Sequence, residues 1–254
     1  MRIGLAVLGL LATAQLVAAQ SRIDELGGFY AVLFTPSGAL PAAVRVQPPR
    51  EGERRLSADF RYCRYQFRDD NVAYDNFGLG ARVRVFRSIS VGGVVAHRTC
   101  GTCDGLSMVG AELSTTLLRR RATEPEGGDS ELGLLLNAGA GTPSKLAFST
   151  QSVGALLPVS VTLPQENGAL LALSLLPGVG YGRLKDDGGV LFPGVDSLGA
   201  LTPGPKGTFG SVRFTIGASV AFFAAVGLGL HASVHRIAIA EAPTQVGVTA
   251  SWRF

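Results

Sequence analysis

The chain has 254 residues, of which 34 are Gly and 13 Pro; 46% are hydrophobic, 17% charged, and the formal net charge is +4 at pH 7. With a mean hydropathy of +0.29 this composition excludes disordered and coiled-coil chains and is high for a soluble domain. So small a charge bias gives no reason to expect nucleic acid as a partner, and the basic residues are overwhelmingly Arg, Lys145, Lys185 and Lys206 being the lysines.

Arg2 is followed by an apolar run over residues 3–14, and Val17, Ala18 and Ala19 supply the small residues a signal peptidase reads. The expectation is a signal peptide over residues 1–19 with cleavage before Gln20. An uncleaved anchor is the alternative, although the run is short of the ~20 residues a helical span needs. No Cys follows the cleavage position, which argues against lipoprotein processing. Residues 20–55 read as a leader or plug, or as an extra hairpin pairing 29–35 with 42–47 around Pro36, Ser37 and Gly38.

From residue 56 onward a two-residue apolar rhythm recurs, the mark of strands with one apolar face. Expected strands cover residues 56–67, with a phase break near Cys63 that a bulge would explain, then 79–86, 89–98, 109–117 and 132–140. Val153, Ala155, Leu157, Val159, Val161 and Leu163 form the next stripe, joined through residues 164–168 to Leu171, Leu173, Leu175 and Val179. Phe214, Ile216, Ala218 and Val220 oppose Arg213, Thr215, Gly217 and Ser219; Leu228, Leu230 and Ala232 oppose Gly229, His231 and Ser233. Finally Val246, Val248, Ala250, Trp252 and Phe254 alternate with Gln245, Gly247, Thr249, Ser251 and Arg253, the latter set toward a polar interior.

A last strand of this kind, ending on Phe254, resembles that of the bacterial outer-membrane β-barrel proteins. The resemblance implies a bacterial outer-membrane location after export through the periplasm, with Trp252 and Phe254 as the signal read by the barrel assembly machinery. Outer-membrane lipid and lipopolysaccharide are the other implied partners. The expected fold is all-β: a closed antiparallel transmembrane up-and-down barrel over residues 56–254, of about ten strands, with eight or twelve as alternatives. Closure follows because no backbone group can face hydrocarbon unpaired. With Phe254 in the periplasm, the connections at 87–88, 164–168 and 223–225 are short and periplasmic. Those at 68–76, 99–106, 141–152, 183–210 and 235–243 are longer and external, while 121–130 is long for its periplasmic side. Aromatic girdles are expected from Phe86, Phe222, Trp252 and Phe254 below and from Tyr65, Phe67, Phe77, Phe148 and Tyr181 above. The rivals are a helical span over 214–230 and a secreted β-sandwich, since alternation alone does not say what covers the apolar face.

Alternation also places charged groups inside: Asp59, Arg61, Arg82, Arg84, Glu112, Glu131, Arg213 and Arg253. Mixed signs predict mutual pairing and a lumen obstructed by side chains, with a narrow pore for small solutes as the alternative. Arg64, Arg68, Arg98, Arg183 and Arg236 fall near the outer rim, where a planar guanidinium fork suits lipid phosphates; a solvated rim is the plainer reading. Cys100 and Cys103 suggest a disulfide stapling an external loop, leaving Cys63 unpaired or competing; a zinc site with His97 and Cys63 is the alternative. No metal or cofactor is expected.

Catalytic signals are thin. His97, His231 and His235, Ser233 beside His231, and Asp69, Asp70, Asp186 and Asp187 in loops show no spacing that marks a site. The expected role is therefore non-enzymatic: envelope structure or surface interaction, the latter through the loop at 183–210. A lipid A deacylase-like or omptin-like hydrolase is kept as an alternative.

Overall fold

The computed structural model describes residues 56–66, 73–86, 88–100, 103–122, 128–143, 148–166, 168–189, 194–195, 200–202, 206–223, 226–237 and 244–253. The expected signal peptide, the 20–55 segment, Phe67, Arg68 and Phe254 lie outside them. The wall is built from β1 (Leu56–Gln66), β2 (Ala73–Arg84), β3 (Ile89–Cys100), β4 (Cys103–Arg120), β5 (Asp129–Pro143), β6 (Phe148–Leu156), β7 (Val159–Pro164), β8 (Leu170–Leu175), β9 (Gly178–Asp186), β12 (Gly207–Phe223), β13 (Val226–Ile237) and β14 (Thr244–Arg253). A two-stranded ribbon, β10 (Gly194–Val195) with β11 (Leu201–Thr202), lies in the longest connection.

All wall pairings are antiparallel, and β1 pairs with β14, so the sheet closes. Prolines explain why twelve strands make ten staves. Leu156 pairs with Gly178 and Val159 with Leu175 in one unbroken register, so β6 and β7 are one stave interrupted at Leu157-Pro158, and β8 and β9 one stave interrupted at Leu176-Pro177. The result is the closed ten-strand antiparallel barrel expected from the alternation.

Two faces follow from the period of two. On β13, Val226, Leu228, Leu230, Ala232 and Val234 are exposed, while Gly227, Gly229, His231, Ser233 and His235 are buried; β14 repeats the pattern from Thr244 to Val248. The outside carries the large apolar side chains and the inside is largely polar, the reverse of a soluble fold. Both chain ends of the barrel share one rim with the connections 85–88, 165–169 and 224–225; the connections 67–72, 187–206 and 238–243 lie at the other.

Several expectations need correction. No bulge interrupts β1, whose register runs evenly from Ser57 to Gln66 against both neighbours; the apparent phase break arises because Cys63 and Tyr65, though apolar in character, face inward. The irregularities fall instead between Arg98 and Cys100 and between Thr116 and Leu118. Tyr65 and Phe148 are buried and belong to no outer girdle, whereas Phe77, Tyr181, Phe86, Phe222 and Trp252 are exposed on the outside. The supposed 99–106 connection is strand almost throughout, Cys100 facing Cys103 across residues 101–102. The long 121–130 turn has a structural reason: the β3–β4 ladder stops at Ile89 and Thr115, so beyond it β4 is paired on one edge only, with β5, which stays in the wall through its ladder with β7. Arg119 Nη2 meets Asp129 Oδ2 at 2.9 Å across the β4–β5 pair, and Asp129 also accepts the Ala122 N–H at 3.2 Å.

Candidate functional site

The lumen carries the chain's chemistry in distinct regions. On the β1–β4 wall, Arg61 donates from Nη1 and Nη2 to the two Glu112 carboxylate oxygens at 2.5 and 3.0 Å and from Nε to Asp59. Arg82 Nη2 donates to Glu112 Oε2 at 2.7 Å. Two carboxylates and two guanidinium groups thus neutralise one another, and Asp59, Arg61 and Glu112 are buried. Glycines make the crossing possible. Gly92 pairs with Arg82 on one side and Glu112 on the other, and a Cβ there would lie 2.9 Å from the Ala81 carbonyl oxygen. Gly80 pairs with Asp59, and a Cβ on it would come within 2.7 Å of the carboxylate.

Of the predicted lumen set, Arg61, Arg82 and Glu112 meet here, joined by Asp59. Glu131 does not join the Arg61 cluster; it accepts the Thr116 hydroxyl at 2.6 Å near the short-turn rim. Arg213 is buried in the lumen and Arg84 is half-buried. Arg253 stands on β14 opposite Ser57, its side chain outside the described residues.

Toward the long-connection rim lies a second polar cluster. His235 Nε2 is 2.9 Å from Gln245 Oε1 and its Nδ1 3.0 Å from Thr215 Oγ1; Ser233 Oγ is 3.1 Å from both His235 Nε2 and Gln245 Oε1. Gln245 Nε2 stands 3.4 Å from His231 Nε2. Gly247 makes room for that ring, since a Cβ would sit 2.3 Å from His231 Cε1 and 2.4 Å from the Tyr62 carbonyl oxygen. His235 and Gln245 are fully buried. Hydrogen-bond logic assigns the roles: facing an amide oxygen, His235 Nε2 donates, so Nδ1 accepts from Thr215, and Ser233 gives its proton to Gln245 rather than to the imidazole. Sequence reading found Ser233 and His231 on one inward face but missed Thr215, Gln245 and His235 as their partners. Counting by twos along β13 and β14 reaches all of them except Thr215, which needs the β12–β13 register.

Arg98 corrects the predicted rim. It is 1% exposed and turned inward, its guanidinium carbon 4.8 Å from the centroid of the Tyr65 ring. Its strand neighbours His97 and Thr99 take the outward positions. Since Cys63 faces inward and His97 outward, the two could not share a metal ion. Arg64 and Arg183 do lie outside near the long-connection rim. Arg64 Nη1 is 3.8 Å from Asp75, which also accepts the Tyr62 hydroxyl at 2.7 Å, and Arg183 donates to Gln151 at 2.8 and 2.5 Å. Arg236 stands one residue before the end of β13, opposite Phe214; its side chain, like those of Cys100 and Cys103, lies outside the described residues. Asp186, expected free in a loop, is buried and accepts the N–H groups of Gly188 and Gly189 at 3.1 and 2.8 Å, starting the longest connection.

Fold and lumen together define the class: a closed antiparallel barrel, apolar outside and polar within. Solved structures similar to it include Ail, the attachment invasion locus protein of Yersinia pestis, at 13% identity, covering 81% of this chain and 100% of that one with a TM-score of 0.31. The translocator domain of the autotransporter NalP from Neisseria meningitidis matches at 13% identity over 80% and 90% of the two chains, TM-score 0.36. The transport unit of the autotransporter AIDA-I from Escherichia coli matches at 9% identity over 91% and 98%, TM-score 0.31. Scores this low lend none of those proteins' properties to this chain. No family model and no curated protein matches it.

Proposed function

We propose that the protein is a bacterial outer-membrane β-barrel whose lumen is obstructed by its own side chains and whose role is structural or interactive at the cell surface rather than catalytic. One observation carries this reading: the inside-out surface, with Leu79, Leu228 and Leu230 each about 60% exposed on the outside while charged and hydroxyl groups are buried within. In water so continuous an apolar belt would aggregate; in hydrocarbon it is the required surface. The Arg61–Glu112 pair, reaching inside the barrel from β1 past β2 and β3 to β4, supports obstruction. The Ser233–His235 arrangement supports a non-catalytic role, because both imidazole nitrogens are engaged by Gln245 and Thr215.

Expected results are recovery in the outer-membrane fraction, a shift in gel migration on boiling, and no steady conductance in planar bilayers. A product soluble without detergent would overturn the membrane reading, and a steady ohmic conductance would replace obstruction by a narrow pore. Arg64 and Arg183 stand outward where lipopolysaccharide phosphates would meet guanidinium forks, which extends the proposal to that lipid; Arg98, turned inward, is not part of it. The exposed alternate residues of β14, Trp252 among them, support engagement by the barrel assembly machinery.

The disulfide belongs to the same proposal. Directly opposed residues of an antiparallel pair have Cα atoms about 4.5–5.5 Å apart, within the range a disulfide spans, and Cys100 faces Cys103 in this way. Non-reducing peptide mapping should recover the two as one cross-linked unit with Cys63 as a free thiol; alkylation of either without prior reduction would refute the pairing.

A further inference from the structure

A hydrogen-bonded antiparallel pair exchanges two bonds, one in each direction. At two such pairs this wall has one. Gly133 N–H donates to the Pro158 carbonyl at 2.8 Å and Leu157 N–H to the Pro177 carbonyl at 2.8 Å, but neither proline has an N–H to return. The carbonyls of Gly133 and Leu157 therefore lose their ladder donors. Pro158 faces β5 and Leu157 faces the β8–β9 stave, so the β6–β7 stave is weakened on both edges within two consecutive residues. Beyond the second seam the wall is intact, Leu176 and Gly217 exchanging both bonds at 2.7 and 3.2 Å. The weak place is not at a rim: it lies near the middle of the stave that runs from Phe148 to Pro164. Proline in a sheet belongs at edges and bulges, and a donorless carbonyl in hydrocarbon is costly.

What lies on either side of this seam is also particular. Inside, Leu135, Leu156 and Leu176 pack together, 0–4% exposed, in a lumen otherwise rich in polar groups. Outside, Leu157, Val159 and Leu175 are 43–49% exposed. In the ring of ten, the β6–β7 stave is diametrically opposite β1, which carries Asp59 and Arg61. A molecule crossing the wall here would meet apolar side chains on both faces and no ionic group of the β1–β4 cluster.

We propose that the Pro158/Pro177 seam is a lateral portal, at which the β6–β7 stave parts from its neighbours to pass a single hydrocarbon chain between the Leu135/Leu156/Leu176 cluster and the bilayer. Opening at these two pairs breaks two ladder bonds where four would otherwise hold. The small length of the lesion suits one chain rather than a diacyl lipid. The inference rests on the membrane reading given above.

The test uses the full barrel in phospholipid vesicles with a long-chain fatty acid carrying a photoreactive diazirine in its tail, adducts being mapped by mass spectrometry. Labelling of the inward Leu156 and Leu176 together with the outward Leu157 and Val159 is expected. In the double variant Pro158→Ala/Pro177→Ala, which restores both donors, inward labelling should fall at least about tenfold while outward labelling stays. Outward adducts without inward ones in the natural protein, or inward labelling undiminished in a folded variant, would overturn the portal. Absence of outward adducts would overturn the membrane reading itself. Should the variant not fold, amide exchange in the natural protein decides: Gly133 and Leu157 should exchange faster than Leu176 and Gly217, and equal protection would overturn the portal.

Discussion

Replacing Glu112 by Ala should lower the unfolding free energy by about 3–5 kcal/mol, the cost of removing one partner from a buried ion pair. Glu112 satisfies two guanidinium groups at once, Arg61 through both oxygens and Arg82 through one, and its side chain is 6% exposed. Its removal leaves Asp59 alone to balance two cations, Arg61 buried beside it and Arg82 half-buried. The charge argument has a second consequence: the further change Arg82→Ala in the Glu112→Ala background should recover part of the loss, since it removes the surplus cation. Urea unfolding in vesicles followed through Trp252, the single Trp of the chain, reads both effects. A loss below about 1 kcal/mol, the worth of a solvated surface pair, would show a lumen that is wet rather than obstructed.

How much of this was legible in the sequence depends on contrast between the two faces. Along β12, β13 and β14 apolar residues alternate with Gly, Ser, Thr and His, and from Val226 to His235 and from Thr244 to Thr249 the predicted faces are the observed ones. Contrast fails where inward residues are themselves apolar or aromatic. Tyr65, Leu135, Leu156 and Leu176 look like lipid-facing residues, so the pattern places Tyr65 in a girdle and a phase break in β1 that the strand does not have. Hydropathy also says nothing of pairing that continues past an apolar stretch: β4 and β5 extend beyond 109–117 and 132–140 because their ladder runs on to Arg120 and Ser130.

For the site, a residue's face is local information but its partner is not. Arg61, Arg82 and Glu112 could be placed inward by counting, whereas the meeting of Arg61 with Glu112, 51 positions away, depends on the registers of β1 with β2, β2 with β3 and β3 with β4. Those registers are set by side-chain fit around Gly80 and Gly92, which no single segment reveals. Arg98 shows the same limit: its height near the rim was legible, but only its place between the outward His97 and Thr99 shows that it points at Tyr65.

Leu230→Arg should cost about 2–4 kcal/mol, and Val226→Arg only about 0–1, because the penalty for a cation on the outer face follows its depth in the bilayer. Leu230 is 62% exposed near the middle of β13, whereas Val226 begins that strand at the short-turn rim. Both face outward on one strand, so strand propensity and barrel packing are nearly shared and depth is what differs. A barrel standing in water, with its belt covered by another protein layer or by nothing, has no reason to grade the two positions in this order. Measured as unfolding free energies in vesicles, equal costs would mean that the apolar belt does not meet acyl chains. A graded cost would mean that the alternation of large apolar residues with Gly, His and Ser along β13 is the imprint of hydrocarbon on one side and a polar lumen on the other.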